Sequence, residues 1–159
     1  MSANSPKPIE INLPNNAKIA IVAARFNSEI VDELLRGCVQ RLSELKLPEK
    51  NLAVHHVPGA FELPLAAKLL AKTKKFDAVI CLGCVIRGDT PHFDYVAGEC
   101  ARGIQQVALK TSIPIIFGVL TTNTEQQARE RIGGKRGHAG RRAADAAAEM
   151  IALARAIKR

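Results

Sequence analysis

The segment Val85 to Val96, VIRGDTPHFDYV, brings an arginine, two aspartates, a threonine, a histidine and two aromatic rings close together. With Gly83 and Cys84 in front it reads GCVIRGDT, which has the glycine spacing of a nucleotide-binding P-loop. Such a loop places lysine after its second glycine, where it neutralises the outer phosphates, but this chain places Asp89 there. That excludes a nucleoside triphosphate. A single phosphate on a small molecule still fits, held by loop N–H groups, the Thr90 hydroxyl, a helix N-terminus and an arginine. His92 follows two residues later, and imidazole is the side-chain type that takes and returns protons near neutral pH. The alternative is a helix-capping or simply exposed histidine.

Other candidates stand apart in the chain. Glu62, in PGAFELP, either stabilises the first turn of a helix or accepts hydrogen bonds from a polyol without a metal. Phe26, just beyond an apolar run, is either core or a ring placed to stack on a planar ligand. Arg131 and Lys135 lie in RERIGGKRGHAGRR, where solvated charge around a turn competes with contact to an anionic ligand, the chain's own or a neighbouring subunit's. His55, His56 and His138 read as structural or solvated. Cys81 and Cys84 form a CxxC, but Cys38 and Cys100 sit singly in predicted helices and Cys81 lies in a strand, so neither zinc nor a redox pair is expected.

The elements that must position these groups alternate regularly. KIAIVAA (18–24) reads as a strand, and Ile30, Leu34, Cys38, Leu42 and Leu45 then recur at helical spacing, with Asn27 or Ser28 as cap. LAVHHV (52–57) precedes the helix FELPLAAKLLAK, and DAVICLG (77–83) precedes a long loop and the helix from Phe93. PIIFGVL (114–120) leads into TEQQARERI, a Gly-rich turn and a closing Ala-rich helix. This order predicts a flavodoxin-like α/β three-layer sandwich with a central four-stranded parallel sheet. Ligands bind such sheets outside the carboxyl ends of the strands, so Phe26, Glu62 and His92 should project from one edge.

The whole chain sets outer limits. Its 159 residues suit one domain, residues 18–159, after an extended arm over residues 1–17 that is rich in Pro, Asn and Ser. Lys and Arg exceed Asp and Glu by 23 to 15, yet no basic run is interleaved with aromatics, which argues against nucleic acid. No apolar run suits a bilayer and no signal peptide is evident, so a cytoplasmic protein without membrane contact is expected.

Taken together, ARFN, VPGAFELP, CLGCVIRGDTPHFDYV, IFGVLTTNTEQQARERIGGK and AAAEM resemble the 6,7-dimethyl-8-ribityllumazine synthase family, in order from about Lys18 to the end. The resemblance implies condensation of 5-amino-6-(D-ribitylamino)uracil with 3,4-dihydroxy-2-butanone 4-phosphate, the penultimate step of riboflavin biosynthesis, without metal or organic cofactor. It implies that Phe26 stacks on the pyrimidine. Ala60, Phe61 and Glu62 would contact the ribityl chain, and Cys84, Val85 and Ile86 would read the uracil through backbone. Asp89, through its N–H, and Thr90 would hold the phosphate, while His92 would transfer protons. Phe117 and Arg131 would come from the adjacent subunit, making a homopentamer the catalytic unit.

The turn GGKRGHAG resembles the short form of the family's shell-forming members, so the resemblance implies twelve pentamers in a sixty-subunit shell, with possible riboflavin synthase association. Two departures stand out: Ala139 replaces a common lysine, and Asp89 replaces a neutral residue of some relatives. The rival reading is a catalytically inactive, shell-forming homologue.

Overall fold

The structure is a computed structural model that describes residues 10–158. Four parallel strands form its centre in the order β2-β1-β3-β4, with β1 at Ile19–Ala24, β2 at Leu52–Val57, β3 at Ala78–Ile86 and β4 at Ile115–Thr122. This is the predicted three-layer α/β sheet architecture. Every residue of β1 is buried because strands flank it and helices cover both its faces, so the run needs no polar alternation. Ile19, Ile21 and Ala23 face one layer, while Ala20 and Val22 face the other.

The first layer contains α1 (Ser28–Glu44) and α5 (Ala139–Ile157); the second contains α2 (Leu63–Lys72) and α3 (His92–Thr111). Leu34, Leu42 and Ile151 are fully buried in the first layer, each stabilising the fold by roughly 1.5–3 kcal/mol. The two helices meet closely: a Cβ at Gly140 would lie 2.0 Å from the Leu34 carbonyl oxygen. At the rim of this contact, Arg41 pairs with Asp145 and Arg141 with Glu44, each at 2.6 Å. The Arg141 and Arg41 guanidiniums hold the Glu44 carboxyl down at about 2.

Several local expectations are corrected. β3 runs on to Ile86 because Cys84, Val85 and Ile86 continue its apolar ladder against β4, so the loop before α3 is short and His92 opens the helix. Asn27 holds the cap position of α1 but makes no side-chain cap bond. After β4, the helix α4 spans only Glu125–Arg129, with Thr124 as its cap accepting from the Gln127 N–H at 3.2 Å.

The Gly-rich turn is a small antiparallel hairpin, β5 (Ile132–Gly134) and β6 (Gly137–His138), with positive φ at Gly133 and Gly137. Residues 10–17 carry neither helix nor strand, yet Leu13 and Ala17 are buried against the first layer. The expected arm's residues 1–9 lie outside the described residues.

Candidate active site

The carboxyl ends of β1, β2 and β3 converge on one pocket of about 620 Å³. Beyond β1, the Arg25 and Phe26 N–H groups donate to the Val57 and Pro58 carbonyls at 2.8 and 3.0 Å, extending the strand pairing past β2. Asn27 then turns the chain with φ 57° and ψ 45°, and its side-chain amide donates to the Cys84 carbonyl at 2.9 Å. Phe26 is thereby fixed at the rim, the residue 72% exposed, a large apolar surface left for something to cover.

Beyond β2, Ala60–Glu62 form a 3-10 turn that feeds α2. Glu62 accepts from the Gly59 N–H through Oε2 at 2.9 Å, which fixes the carboxylate while it lines the pocket. The sequence offered first-turn stabilisation and ligand contact as alternatives; this geometry is compatible with both. β3 contributes Cys84, Val85 and Ile86 to the wall. His92 is the first residue of α3, and its N–H reaches the Thr90 hydroxyl at 3.4 Å; both residues line the pocket.

Of the residues singled out in the sequence, Phe26, Ala60, Phe61, Glu62, Cys84, Val85, Ile86, Thr90 and His92 meet at this pocket. Asp89 is exposed on the same loop but does not line it. Phe117 and Arg131 also lie outside it. Phe117 shares the α2–α3 face of β4 with Ile115 and Val119 and is 44% exposed. Arg131 is half-buried after α4, with one guanidinium nitrogen donating to the Gln127 carbonyl at 2.7 Å.

Sequence reasoning missed Tyr95 and Val96, which share the pocket face of α3 with His92 at three- and four-residue spacing. It also missed Asn27 and Gly59, whose parts are made by backbone conformation and contact.

The thiols are not nucleophiles here. Cys81 packs in the α2–α3 layer and Cys84 in the α1–α5 layer, so the CxxC pair points to opposite faces of the sheet. Burial, with a smaller contribution from Glu125, pushes Cys84 up to about 11, and burial raises Cys81 further still, with Cys100 a lesser cause. Among the described residues, no group of three His, Cys, Asp or Glu side chains is placed to hold a metal ion. A second cavity, of about 530 Å³, opens near Lys74, Asp77, Ser112 and Arg155, but there the acidic and basic side chains of Asp77 and Arg155 already pair at 3.1 Å.

A parallel α/β sheet with an aromatic, carboxylate and imidazole pocket at its carboxyl edge places the chain in the class of small-ligand-binding α/β proteins. Residues 16–155 match the family described as 6,7-dimethyl-8-ribityllumazine synthase, and the chain belongs to that family. It is accordingly a transferase of riboflavin biosynthesis. No described helix is long and apolar enough to cross a membrane.

Proposed function

We propose that the chain condenses 5-amino-6-(D-ribitylamino)uracil with 3,4-dihydroxy-2-butanone 4-phosphate to give 6,7-dimethyl-8-ribityllumazine, phosphate and water. The observation that carries this reading is the convergence of Phe26, Glu62, the end of β3 and His92 on one pocket. Each has a counterpart in the substrates. The pyrimidine would stack on Phe26, the backbone of Cys84–Ile86 would pair with its polar edge, and the ribityl hydroxyls would meet Glu62 and the turn at Ala60 and Phe61. The phosphate would lie by the Asp89 N–H and the Thr90 hydroxyl, close to the N-terminus of α3.

The chemistry needs orientation and proton traffic. The 5-amino group attacks the ketone and water leaves as the imine forms; phosphate is then eliminated, and closure of the second ring releases water again. Each departure requires a proton at oxygen or the removal of one from carbon or nitrogen, which His92 would relay. Holding two substrates together in reactive geometry supplies the larger share of the acceleration.

The same reading makes the site a shared one. Phe117 is exposed, Arg131 is half-buried, and both lie outside their own chain's pocket, which supports their service to a neighbouring subunit in a homopentamer. Twelve such pentamers would form the sixty-subunit shell, and riboflavin synthase would be the associated enzyme that consumes the product. Particle mass in solution, counted in copies of the 17.2 kDa chain, distinguishes pentamer from shell.

Incubation with both substrates should yield a fluorescent lumazine. No product from the intact assembly would overturn the proposal.

A further inference from the structure

We propose that Arg87 is a positioning residue for His92, fastening the turn that carries the imidazole to the end of β4. This rests on the reading of His92 as the proton carrier. The turn lacks packing of its own: every residue from Arg87 to His92 is exposed, and a Cβ at Gly88 would meet nothing within 4 Å. Its local hydrogen bonds are few, with the His92 N–H at 3.4 Å from the Thr90 hydroxyl and the Asp94 N–H at 3.0 Å from the Pro91 carbonyl.

Arg87 supplies the missing restraint from both ends. Its backbone N–H donates to the Thr122 carbonyl at 2.9 Å, and its Nε donates to Asn123 Oδ1 at 3.0 Å, so it is anchored beside the end of β4. The two terminal nitrogens grip the Asp94 carboxylate at 3.3 and 3.1 Å. The guanidinium carbon lies 4.1 Å from the centroid of the Phe93 ring. Asp94 and Phe93 are the second and first residues after His92, so the side chain clamps the helical turn bearing the imidazole. All three guanidinium nitrogens are used, a planar arrangement that lysine cannot reproduce.

The clamp also reaches the β4–α4 corner. The Asn123 N–H donates to Gln127 Oε1 at 2.9 Å, and the Gln127 carbonyl accepts from Arg131. One side chain thus joins the His92 turn to the segment that presents Arg131. Because the Arg87 and Asp94 side chains are 43% and 60% exposed, their pairing should add little to global stability. Its consequence belongs to geometry, where small displacements of a proton carrier are costly.

The test compares wild type, Arg87→Ala, Arg87→Lys, Asp94→Ala and the Arg87→Ala/Asp94→Ala double variant. Arg87→Ala should lower kcat by roughly tenfold, and by no more than His92→Ala does, while KM for the pyrimidine stays within about twofold, with Arg87→Lys closer to Ala than to wild type. The double variant should cost less than the product of the two single losses. Hydrogen exchange of the hydrogen-bonded Arg87, His92 and Asp94 amides reads the clamp without turnover and should quicken roughly tenfold in Arg87→Ala.

If wild type itself makes no lumazine, the proposed function falls and exchange alone decides the clamp. Should Arg87→Ala fail to fold, Arg87→Lys carries the comparison. Wild-type kcat in Arg87→Lys, or unchanged exchange in a folded variant, would overturn the proposal.

Discussion

The side-chain amide of Asn27 reaches across from the end of β1 to the Cys84 carbonyl of β3, at 2.9 Å, from a residue held in left-handed backbone conformation. Asparagine tolerates that conformation better than most side chains and brings the donor to the carbonyl. Asn27→Ala would remove the bond and strain the turn together. We expect a loss of about 1–3 kcal/mol and weaker pyrimidine binding. Asn27→Gly relaxes the backbone without restoring the donor, so it should recover stability more than affinity. Urea denaturation and KM measured on both variants separate the effects; equal recovery of the two would refute the assignment.

The proposed division of the site between subunits predicts complementation. His92→Ala should lower kcat by about 100-fold or less, the lower end of general acid–base effects. Arg131→Ala should chiefly raise KM for the phosphate substrate. When the two impaired proteins are unfolded, mixed and reassembled, some interfaces will pair an intact His92 with an intact Arg131. Activity above that of either variant is expected. Its absence from properly mixed assemblies would place both residues of a site on one chain.

His138 supplies a pH dependence that can be isolated. Its ring packs directly on Gly37 of α1, and its buried Nδ1 has no hydrogen-bond partner among the described residues. Burial lowers its pKa from the ordinary 6.5, Arg141 and Arg142 of α5 lower it further, and Glu33 of α1 opposes them. The unfolded chain therefore takes up this proton at higher pH than the folded one. Stability should be retained above 6.5 and decline as pH falls below that value through the folded pKa. In His138→Leu, that part of the decline should vanish. Denaturation midpoints of wild type and variant that run parallel from pH 7.5 to 5 would exclude the group as its source.

Close approach of α1 and α5 sets a fourth expectation. In Gly140→Ala, the new methyl would meet the Leu34 backbone carbonyl, which cannot rotate away, so we expect destabilisation of about 1–3 kcal/mol or more despite alanine's better helix propensity. Gly98 in α3 is the counterpart, because nothing lies within 4 Å of its missing Cβ. Gly98→Ala should stabilise by about 0.5–1 kcal/mol. Thermal denaturation of both variants should move in opposite directions; a shift of the same sign would contradict the packing argument.

The sheet was legible because its strands are short apolar runs separated by helices with clear periodicity, and the carboxyl-edge rule then placed Phe26, Glu62 and His92 together. The end of β3 was harder to read, since Val85 and Ile86 resemble both a strand and the start of a Gly-containing loop. The β5–β6 hairpin escaped notice because its strands of three and two residues are too short to show alternation. Arg87 received no role of its own from the sequence. Its partner Asn123 lies 36 residues away, a distance that only the β3–β4 pairing closes.

The burial of the cysteines has a practical consequence. All four are enclosed, and burial pushes Cys38 up to about 12 and Cys84 and Cys100 each to about 11. At neutral pH these thiols present almost no thiolate to an alkylating reagent. The native chain is thus a silent background for maleimide chemistry, and a single cysteine introduced on its surface would carry a fluorophore, spin label or cargo at one address per subunit.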